Sequence, residues 1–382
     1  MNRYFNTTGL CNPQDHYMVD PFRGLKEDIY RLIEAKQYFL IHAPRQTGKT
    51  TFLHQLAHRI NGEGKYICLV FSVESAGVRS FTEEMASERM VDALYSMRKR
   101  FLQPEVYPPQ PEHPISLKDY VQQWSESQTR PIVLLIDEVD SLWDDVLVSF
   151  LRQMRDGFQI RPESFPSSIA LVGLRDIREY KTKARSDNPS LGSGSPFNIK
   201  AKSFFLPVFS REEVRGLLDQ HTHDTGQVFS EEVFERLYVY TSGQPWLTNA
   251  IANEIVAERL KNDYSQPITP DMVEKAKEAL IAQRQTHLDS LVDKLKEPRV
   301  RQIVLSIING ESPIFDDYND AIRYCRDLGI VTQKSPVQFA NPIYREIITR
   351  IINHSLHDGF DQDTVQTAWY LNPDGSLDID KL

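Results

Sequence analysis

Short apolar segments alternate with segments of helical periodicity over the first 208 residues. The apolar segments are "QYFLIHA" (37–43), "YICLVFSV" (66–73), "PIVLLID" (131–137), "SSIALVGL" (167–174) and "KSFFLPVF" (202–209). Segments of this length and composition are typical of strands buried in a parallel sheet. Strands that alternate with helices indicate βαβ units. The pattern therefore predicts an α/β domain, with a parallel sheet, over residues 1–208.

The pattern is helical after residue 208. Ser210 and Glu213 predict a capping box at the start of this part. Further on, the chain runs through "VRQIVLSII", "YNDAIRYCRDLG", the two-strand candidate "IVTQKSPVQFA" and "PIYREIITRII", an order that fits a winged-helix module. We predict a helical lid over residues 209–285, a winged-helix domain over 286–354 and an acidic tail over 355–382.

Composition narrows the class of protein. The chain has 382 residues, 40% of them hydrophobic and 25% charged, which is typical of a globular protein with more than one domain. A net charge of -9 argues against a protein that coats nucleic acid by charge alone. A local basic patch on one domain is the alternative. No run of about 18 apolar residues and no signal segment is present, so we expect a cytoplasmic protein without membrane contact. Three scattered cysteines predict neither a disulfide framework nor a zinc site.

The segment "APRQTGKT" (43–50) fits the phosphate-loop pattern G-x-x-x-x-G-K-[ST] except at its first position, where Ala43 replaces glycine. Gly48 permits a turn whose backbone N–H groups converge on phosphate at a helix N-terminus. Lys49 provides positive charge for the β- and γ-phosphates, and the Thr50 hydroxyl can bind Mg²⁺. We therefore expect ATP or ADP with Mg²⁺ as the ligand. The predicted contacts are Pro44, Arg45, Gln46, Thr47, Gly48, Lys49, Thr50 and Thr51.

Two acidic residues follow the most apolar predicted strand. Asp137 is predicted to bind Mg²⁺ together with Thr50, and Glu138 to polarise the attacking water. Carboxylates are costly to place at the end of a buried strand unless they have such a role. The alternative is a strand that simply runs out into a polar turn. Asp140 is interpreted as a helix N-cap.

A cation follows the next predicted strand, in "LVGLRD". Arg175 at this place can stabilise charge on the γ-phosphate, and we predict a catalytic role for it. The alternative is a surface ion pair with Asp176 or Glu179. An arginine finger across a subunit contact is a further option, and its candidates are Arg152, Arg155 and Arg178.

The segment "TSGQPWLTNAIANEI" (241–255) places Gly243 and Pro245 just before a helix. From the residues alone this is a tight turn with a rigid helix start.

Taken together, these segments resemble the additional-strand P-loop ATPases, the wider AAA+ and STAND class, and especially bacterial and archaeal AAA-like ATPases whose phosphate loop reads PRxxGKT. The resemblance covers about residues 15–350. It implies that Gly243 and Pro245 lie against the nucleotide. It also implies base contacts in "YMVDPFRG" (17–24), for which the candidates are Tyr17, Met18 and Val19. The chain departs from the family pattern at Ala43 and at Arg175, where the family has Asn, Thr or Ser.

Three hypotheses follow. The first is an ATP- and magnesium-dependent switch ATPase with slow or partner-activated hydrolysis, acting with a protein partner or by self-association. The second is a DNA-binding loader that resembles origin-recognition ATPases, supported by Arg323 and Arg326. Asp317, Asp320 and Asp327 are interleaved with these arginines, which favours a solvated amphipathic helix instead. The third is a non-enzymatic scaffold with a structural nucleotide.

Overall fold

The computed structural model describes residues 3–174, 199–283, 291, 293–311 and 319–357. The chain divides into two compact units, Asp20–Pro207 and the combination of Met1–Val19 with Val208–Leu382. The N-terminal 19 residues therefore group with the C-terminal half, and not with the α/β domain in which the sequence analysis placed them. The residues of the predicted lid and of the predicted winged-helix domain belong to one unit.

The first unit is built on a parallel five-stranded sheet, as the alternating pattern predicts. Its strands are β1 (Tyr38–His42), β2 (Ile67–Ser72), β3 (Ile132–Asp137), β4 (Ser168–Gly173) and β5 (Lys200–Phe205). Their order across the sheet is β2-β3-β4-β1-β5. The strand β4 thus lies between the strand that leads into the phosphate loop and the strand that ends in Asp137. This confirms the α/β P-loop fold with an additional strand.

The helices of the first unit pack their apolar faces into the core that contains the sheet. They are α1 (Lys26–Glu34), α2 (Lys49–Glu63), α3 (Glu83–Phe101), α4 (Leu117–Glu126) and α5 (Asp144–Phe158). Side-chain N-caps from Thr82 and Ser116 begin α3 and α4. The helix α1 is not predicted from the sequence, and it buries Ile29 and Ile33 at the i, i+4 spacing.

The last strand ends earlier than predicted. The apolar segment continues to Phe209, but β5 ends at Phe205. The backbone N–H of Phe209 donates a 2.8 Å hydrogen bond to the carbonyl of Gly243, within the second unit. The backbone of Phe209 therefore pairs outside the sheet, although the apolar pattern does not change.

The edge strand β2 has a side chain bonded to its backbone. Asn61, near the end of α2, accepts a 2.8 Å hydrogen bond from the N–H of Cys68 through Oδ1. Its Nδ2 donates to the carbonyls of Cys68, at 2.7 Å, and of Phe101, at 3.0 Å. Both backbone groups of Cys68 are thereby bonded.

The described part of the second unit is mainly helical. Its helices are α6 (Arg211–Thr225), α7 (Glu231–Thr241), α8 (Pro245–Asn253), which continues in a π-helical turn (Glu254–Arg259), α9 (Pro270–Ala282), α10 (Pro298–Ile308), α11 (Asp320–Asp327) and α12 (Pro342–His357). The predicted capping box of Ser210 and Glu213 is confirmed. In the predicted two-strand segment Val331 and Phe339 form an isolated antiparallel bridge. None of the helices in the described ranges is long and apolar enough to cross a membrane.

Candidate nucleotide-binding site

The phosphate loop connects β1 to α2 through two residues in the left-handed region. Gln46 has φ 57° and Gly48 has φ 90°, and α2 begins at Lys49. The buried Lys49 donates from Nζ to the carbonyls of Ala43, at 2.9 Å, and Pro44, at 3.0 Å. The Thr47 hydroxyl donates to the carbonyl of Pro44 at 2.8 Å. Arg45 and Gln46 are exposed, while Thr51 is buried on the first turn of α2.

Ala43 fits its place without backbone strain. Its φ is not among the positive values, and its side chain has 0% exposure within the core of the first unit. The N–H of Ala43 donates to the carbonyl of Gly173 at 3.2 Å, which extends the pairing of β1 and β4 by one residue. The position therefore does not require the conformational freedom of glycine.

Thr50 and Asp137 come together although they are far apart in the chain. Thr50 Oγ1 donates a 3.0 Å hydrogen bond to Oδ2 of Asp137, and Oδ1 of Asp137 accepts from the N–H of Glu138 at 2.9 Å. A hydroxyl and a carboxylate are hard oxygen donors of the kind that Mg²⁺ prefers. This donor set fits the predicted magnesium ion.

Glu138 stands in an unusual backbone conformation next to this pair. Its φ of 56° and ψ of 37° are left-handed, which is uncommon for a residue with a side chain. Such strain concentrates at functional sites. Burial raises the pKa of Glu138 to about 7, and the charges of Asp140 and Asp137 act in the same direction. A carboxyl group that titrates near neutral pH is suited to general base catalysis.

Burial also shifts the pKa of the two buried charged groups. It lowers the pKa of Lys49, against the opposing effect of Glu138, Asp137 and Asp140. It raises the pKa of Asp137, and the positive charge of Lys49 opposes that rise. The lysine and the acids therefore stabilise each other's charged forms in a place that water reaches poorly.

Asp140 does not cap a helix, contrary to the interpretation from sequence. The residue at the N-cap position of α5 is Trp143, and Asp140 lies in a 3₁₀ turn (Val139–Ser141). Its Oδ1 accepts a 3.0 Å hydrogen bond from the N–H of Leu174, just after β4. Asp140 thus connects the segment after β3 to the segment after β4.

Arg23 contacts the phosphate loop and was missed from the sequence. Its guanidinium donates to the carbonyl of Thr47 and to the carbonyl of Pro207. The residue lies in the segment "YMVDPFRG", but nothing in the pattern of that segment distinguishes this arginine from an exposed one.

The arginine candidates are placed unequally. Arg175 and Arg178 lie outside the described residues. Arg152 and Arg155 are exposed on α5.

The glycine of the Gly-x-Pro turn has a packing reason. Gly243 has φ 73°, and a Cβ atom there would lie 2.0 Å from the carbonyl oxygen of Phe209. Pro245 is the first residue of α8, which Gln244 caps by accepting from the N–H of Leu247. The close approach of Phe209 therefore accounts for this glycine within the second unit.

The three candidate base contacts also belong to the second unit. Tyr17 is 2% exposed, and its ring packs 4.8 Å from that of Phe5. The Gln220 side chain bonds both the N–H of Met18, at 3.2 Å, and its carbonyl, at 2.8 Å. Val19 is half-buried against the core of this unit. Packing within the unit thus accounts for Tyr17 and Met18.

Tyr17 also belongs to a hydrogen-bonded chain through the buried His221. Gln227 Nε2 donates to the backbone carbonyl of Gln266 at 2.7 Å, so its Oε1 is the acceptor that faces Nε2 of His221 at 3.0 Å. His221 therefore carries its proton on Nε2, and Nδ1 accepts from the hydroxyl of Tyr17 at 3.2 Å. Burial lowers the pKa of His221.

The arginines proposed for DNA contact are engaged within the protein. Arg326 is only 6% exposed, and Arg323 pairs with Asp320 at 3.1 Å on the same helix. Asp317 lies outside the described residues. The helix α11 therefore does not present both arginines to solvent.

Residues 33–180 match the family model described as an AAA domain. An uncharacterised WD repeat-containing protein from Synechocystis sp. is 23% identical over 358 residues, which cover 85% of this chain and 28% of that protein. The chain thus spans about 28% of the length of this curated relative.

Two solved structures are similar to this chain over most of its length. The Walker-type ATPase PABY2304 of Pyrococcus abyssi is 14% identical, with a TM-score of 0.59 over 90% of this chain and 99% of that chain. Cdc6p from Pyrobaculum aerophilum is 13% identical, with a TM-score of 0.47 over 92% of this chain and 98% of that chain. At 14% identity the likeness to the Walker-type ATPase shows the fold alone.

Proposed function

We propose that this chain is an ATP- and magnesium-binding ATPase of AAA+ and STAND-like type, which acts as a nucleotide-dependent switch with slow hydrolysis. The observation that carries the proposal is the contact of Thr50 with Asp137, with the half-buried Glu138 next in the chain. The match of residues 33–180 to the AAA domain and the P-loop fold support it.

The roles of the residues follow from their chemistry. Lys49 and the N–H groups at the start of α2 bind the β- and γ-phosphates. Thr50 and Asp137 would hold Mg²⁺, which neutralises phosphate charge when bound. Glu138 accepts the proton of the attacking water, and Arg175 stabilises charge on the γ-phosphate.

The finer parts of the proposal rest on the resemblance. The resemblance implies that Tyr17, Met18 and Val19 contact the base, and that Gly243 and Pro245 lie against the nucleotide. The part of the chain over 286–354 forms a winged-helix domain that clamps the nucleotide and releases it on activation. In this proposal a protein partner or self-association supplies the trigger.

The decisive experiment replaces Glu138 with Gln. The variant should bind ATP like the wild type and lose turnover, because glutamine keeps the size of the side chain but cannot accept the proton. Glu74→Gln is the matched control and should keep most of the turnover, because it makes the same substitution at an exposed carboxylate that has only the smallest of the named effects on the pKa of Glu138. Turnover of Glu138→Gln equal to that of the wild type would contradict the assigned role.

Two alternatives are separated by further measurements. A DNA-binding loader requires affinity for duplex DNA that falls steeply with salt, and the burial of Arg326 does not favour it. A scaffold with a structural nucleotide would bind ATP and show no more turnover than its Glu138→Gln variant.

A further inference from the structure

We propose that Gly77, Gly173 and Asp140 are positioning residues, which together hold the turn after Glu138 in place and fix where the Glu138 carboxyl group points. The inference rests on the proposed role of Glu138 as general base. None of the three residues needs to touch the substrate.

The turn is short and begins at a strained residue. The carbonyl of Glu138 accepts from the N–H of Ser141 at 2.9 Å, and Leu142 donates to Val139 at 3.2 Å. A left-handed residue with a side chain persists only where its surroundings over-determine it. These hydrogen bonds join residues within the turn, so other contacts must hold the turn against the rest of the unit.

On the side of β4 the turn meets Gly173. A Cβ atom at Gly173 would lie 2.7 Å from Oδ1 of Asp140, the same oxygen that accepts from Leu174. The carbonyl of Gly173 accepts from Ala43, so both ends of the peptide bond between Gly173 and Leu174 are bonded. One end is bonded to the phosphate loop and the other to the turn after Glu138.

On the side of β2 the turn meets Gly77. A Cβ atom there would lie 2.6 Å from the carbonyl oxygen of Ser141. Gly77 has φ -79°, which any residue adopts, and no positive φ is recorded for Gly173. These glycines are therefore required for space and not for conformation.

The two contacts enclose the catalytic turn between backbone atoms on either side. A methyl group at Gly77 must displace the turn, because the atom it meets is a backbone carbonyl oxygen. A methyl group at Gly173 must displace the carboxylate of Asp140, which the hydrogen bond from Leu174 holds in place. A displacement of about 1 Å at a reacting group lowers the rate by up to about a hundredfold. Phosphate binding depends on the loop of residues 43–50 and should change little.

The test compares Gly77→Ala and Gly173→Ala with Gly62→Ala, whose Cβ atom would meet nothing within 4 Å. We expect Gly77→Ala and Gly173→Ala to keep ATP affinity within about twofold of the wild type and to lower kcat by about ten- to a hundredfold. Gly62→Ala should match the wild type. Unchanged kcat in Gly77→Ala or Gly173→Ala, beside an inactive Glu138→Gln, would overturn the inference and leave the proposed function standing.

Asp140 gives a sharper discrimination. Asp140→Asn keeps an oxygen that accepts from Leu174 but removes a charge that raises the pKa of Glu138, so it should retain more of kcat than Asp140→Ala, which loses both. In the Asp140→Ala background, Gly173→Ala should lower kcat no further, because the carboxylate that its methyl group would meet is gone. Gly77→Ala should lower kcat in that background by the same factor as in the wild type. Equal factors for Gly173→Ala in both backgrounds would overturn the pairing of Gly173 with Asp140.

Amide hydrogen exchange tests the contact of Asp140 with Leu174 independently of ATP hydrolysis. The Leu174 amide should exchange slowly in the wild type and in Asp140→Asn, and faster in Asp140→Ala. Equally slow exchange of the Leu174 amide in Asp140→Ala would overturn the inference. This outcome does not depend on the proposed function, which fails separately if Glu138→Gln is active.

Discussion

Thr50 and Asp137 are 87 residues apart in the chain, yet the hydroxyl of one lies 3.0 Å from a carboxylate oxygen of the other. The contact joins the first turn of α2 to the end of β3. It brings together the two oxygen donors that the sequence predicts to bind magnesium.

This contact predicts a magnesium-dependent effect of Thr50. Thr50→Ala should weaken the affinity for a fluorescent ATP analogue by about tenfold in the presence of Mg²⁺ and much less in EDTA, since losing a group around a metal typically costs that much. Thr50→Ser keeps the hydroxyl and is the matched control. The same loss of affinity with and without Mg²⁺ would refute the assignment.

Ala43 should not slow turnover. Ala43→Gly removes a buried methyl group and adds backbone freedom, so we expect the free energy of unfolding to fall by about 1–2 kcal/mol. The kcat should stay within about twofold of the wild type, because the backbone at Ala43 is already unstrained. The measurement is chemical denaturation together with steady-state hydrolysis, and a marked rise in kcat would show that the alanine limits the rate.

Gly243 and Gly226 allow a matched comparison in the second unit. Both have positive φ, 73° and 79°, but only a methyl group at Gly243 would meet a backbone atom. Gly226→Ala should cost about 1 kcal/mol of unfolding free energy. Gly243→Ala should cost about 3 kcal/mol or more, because Phe209 cannot move without breaking its hydrogen bond to Gly243. Equal losses in chemical denaturation would mean that the contact with Phe209 does not matter.

His221 should make stability depend on pH. Burial depresses its pKa in the folded state, with Tyr17, Gln227 and the nearby Asp224 as its polar neighbours. The unfolded chain binds a proton near pH 6.5 and the folded chain only at lower pH. Stability from this group is therefore complete above about pH 6.5 and is lost as the pH falls below it.

The check is chemical denaturation between pH 5 and pH 8 with a His221→Gln variant. The free energy of unfolding of the variant should fall less steeply toward pH 5 than that of the wild type, by at most about 1.4 kcal/mol per pH unit. His223→Gln, at an exposed position on the same helix, should keep the slope of the wild type. Identical slopes for His221→Gln and the wild type would rule out this contribution.

The sheet was predictable because four of its five strands, β1 to β4, are buried on both faces. Each of the five apolar segments contains or overlaps a strand, and parallel strands place their carboxyl ends along one edge. The proximity of Thr50 to Asp137 follows from that geometry once the motifs are found. The end of β5 does not follow, because the partner of Phe209 is a residue more than thirty positions later.

The surroundings of Glu138 were not predictable from pattern or spacing. The contacts of Asp140 with Leu174 and of Gly77 with Ser141 depend on how closely neighbouring loops pack, and no periodicity encodes that distance. A glycine at the end of a buried strand does indicate close backbone approach. That rule would have selected Gly173, and through it Asp140.

The side-chain amide of Asn61 makes the two hydrogen bonds with the backbone of Cys68 that a residue of a neighbouring strand would make. Because both backbone groups of Cys68 are already bonded to it, a sixth strand cannot pair at that residue without first displacing this side chain. Association of two copies through this edge of the sheet is thereby opposed by one polar residue of the helix that follows the phosphate loop.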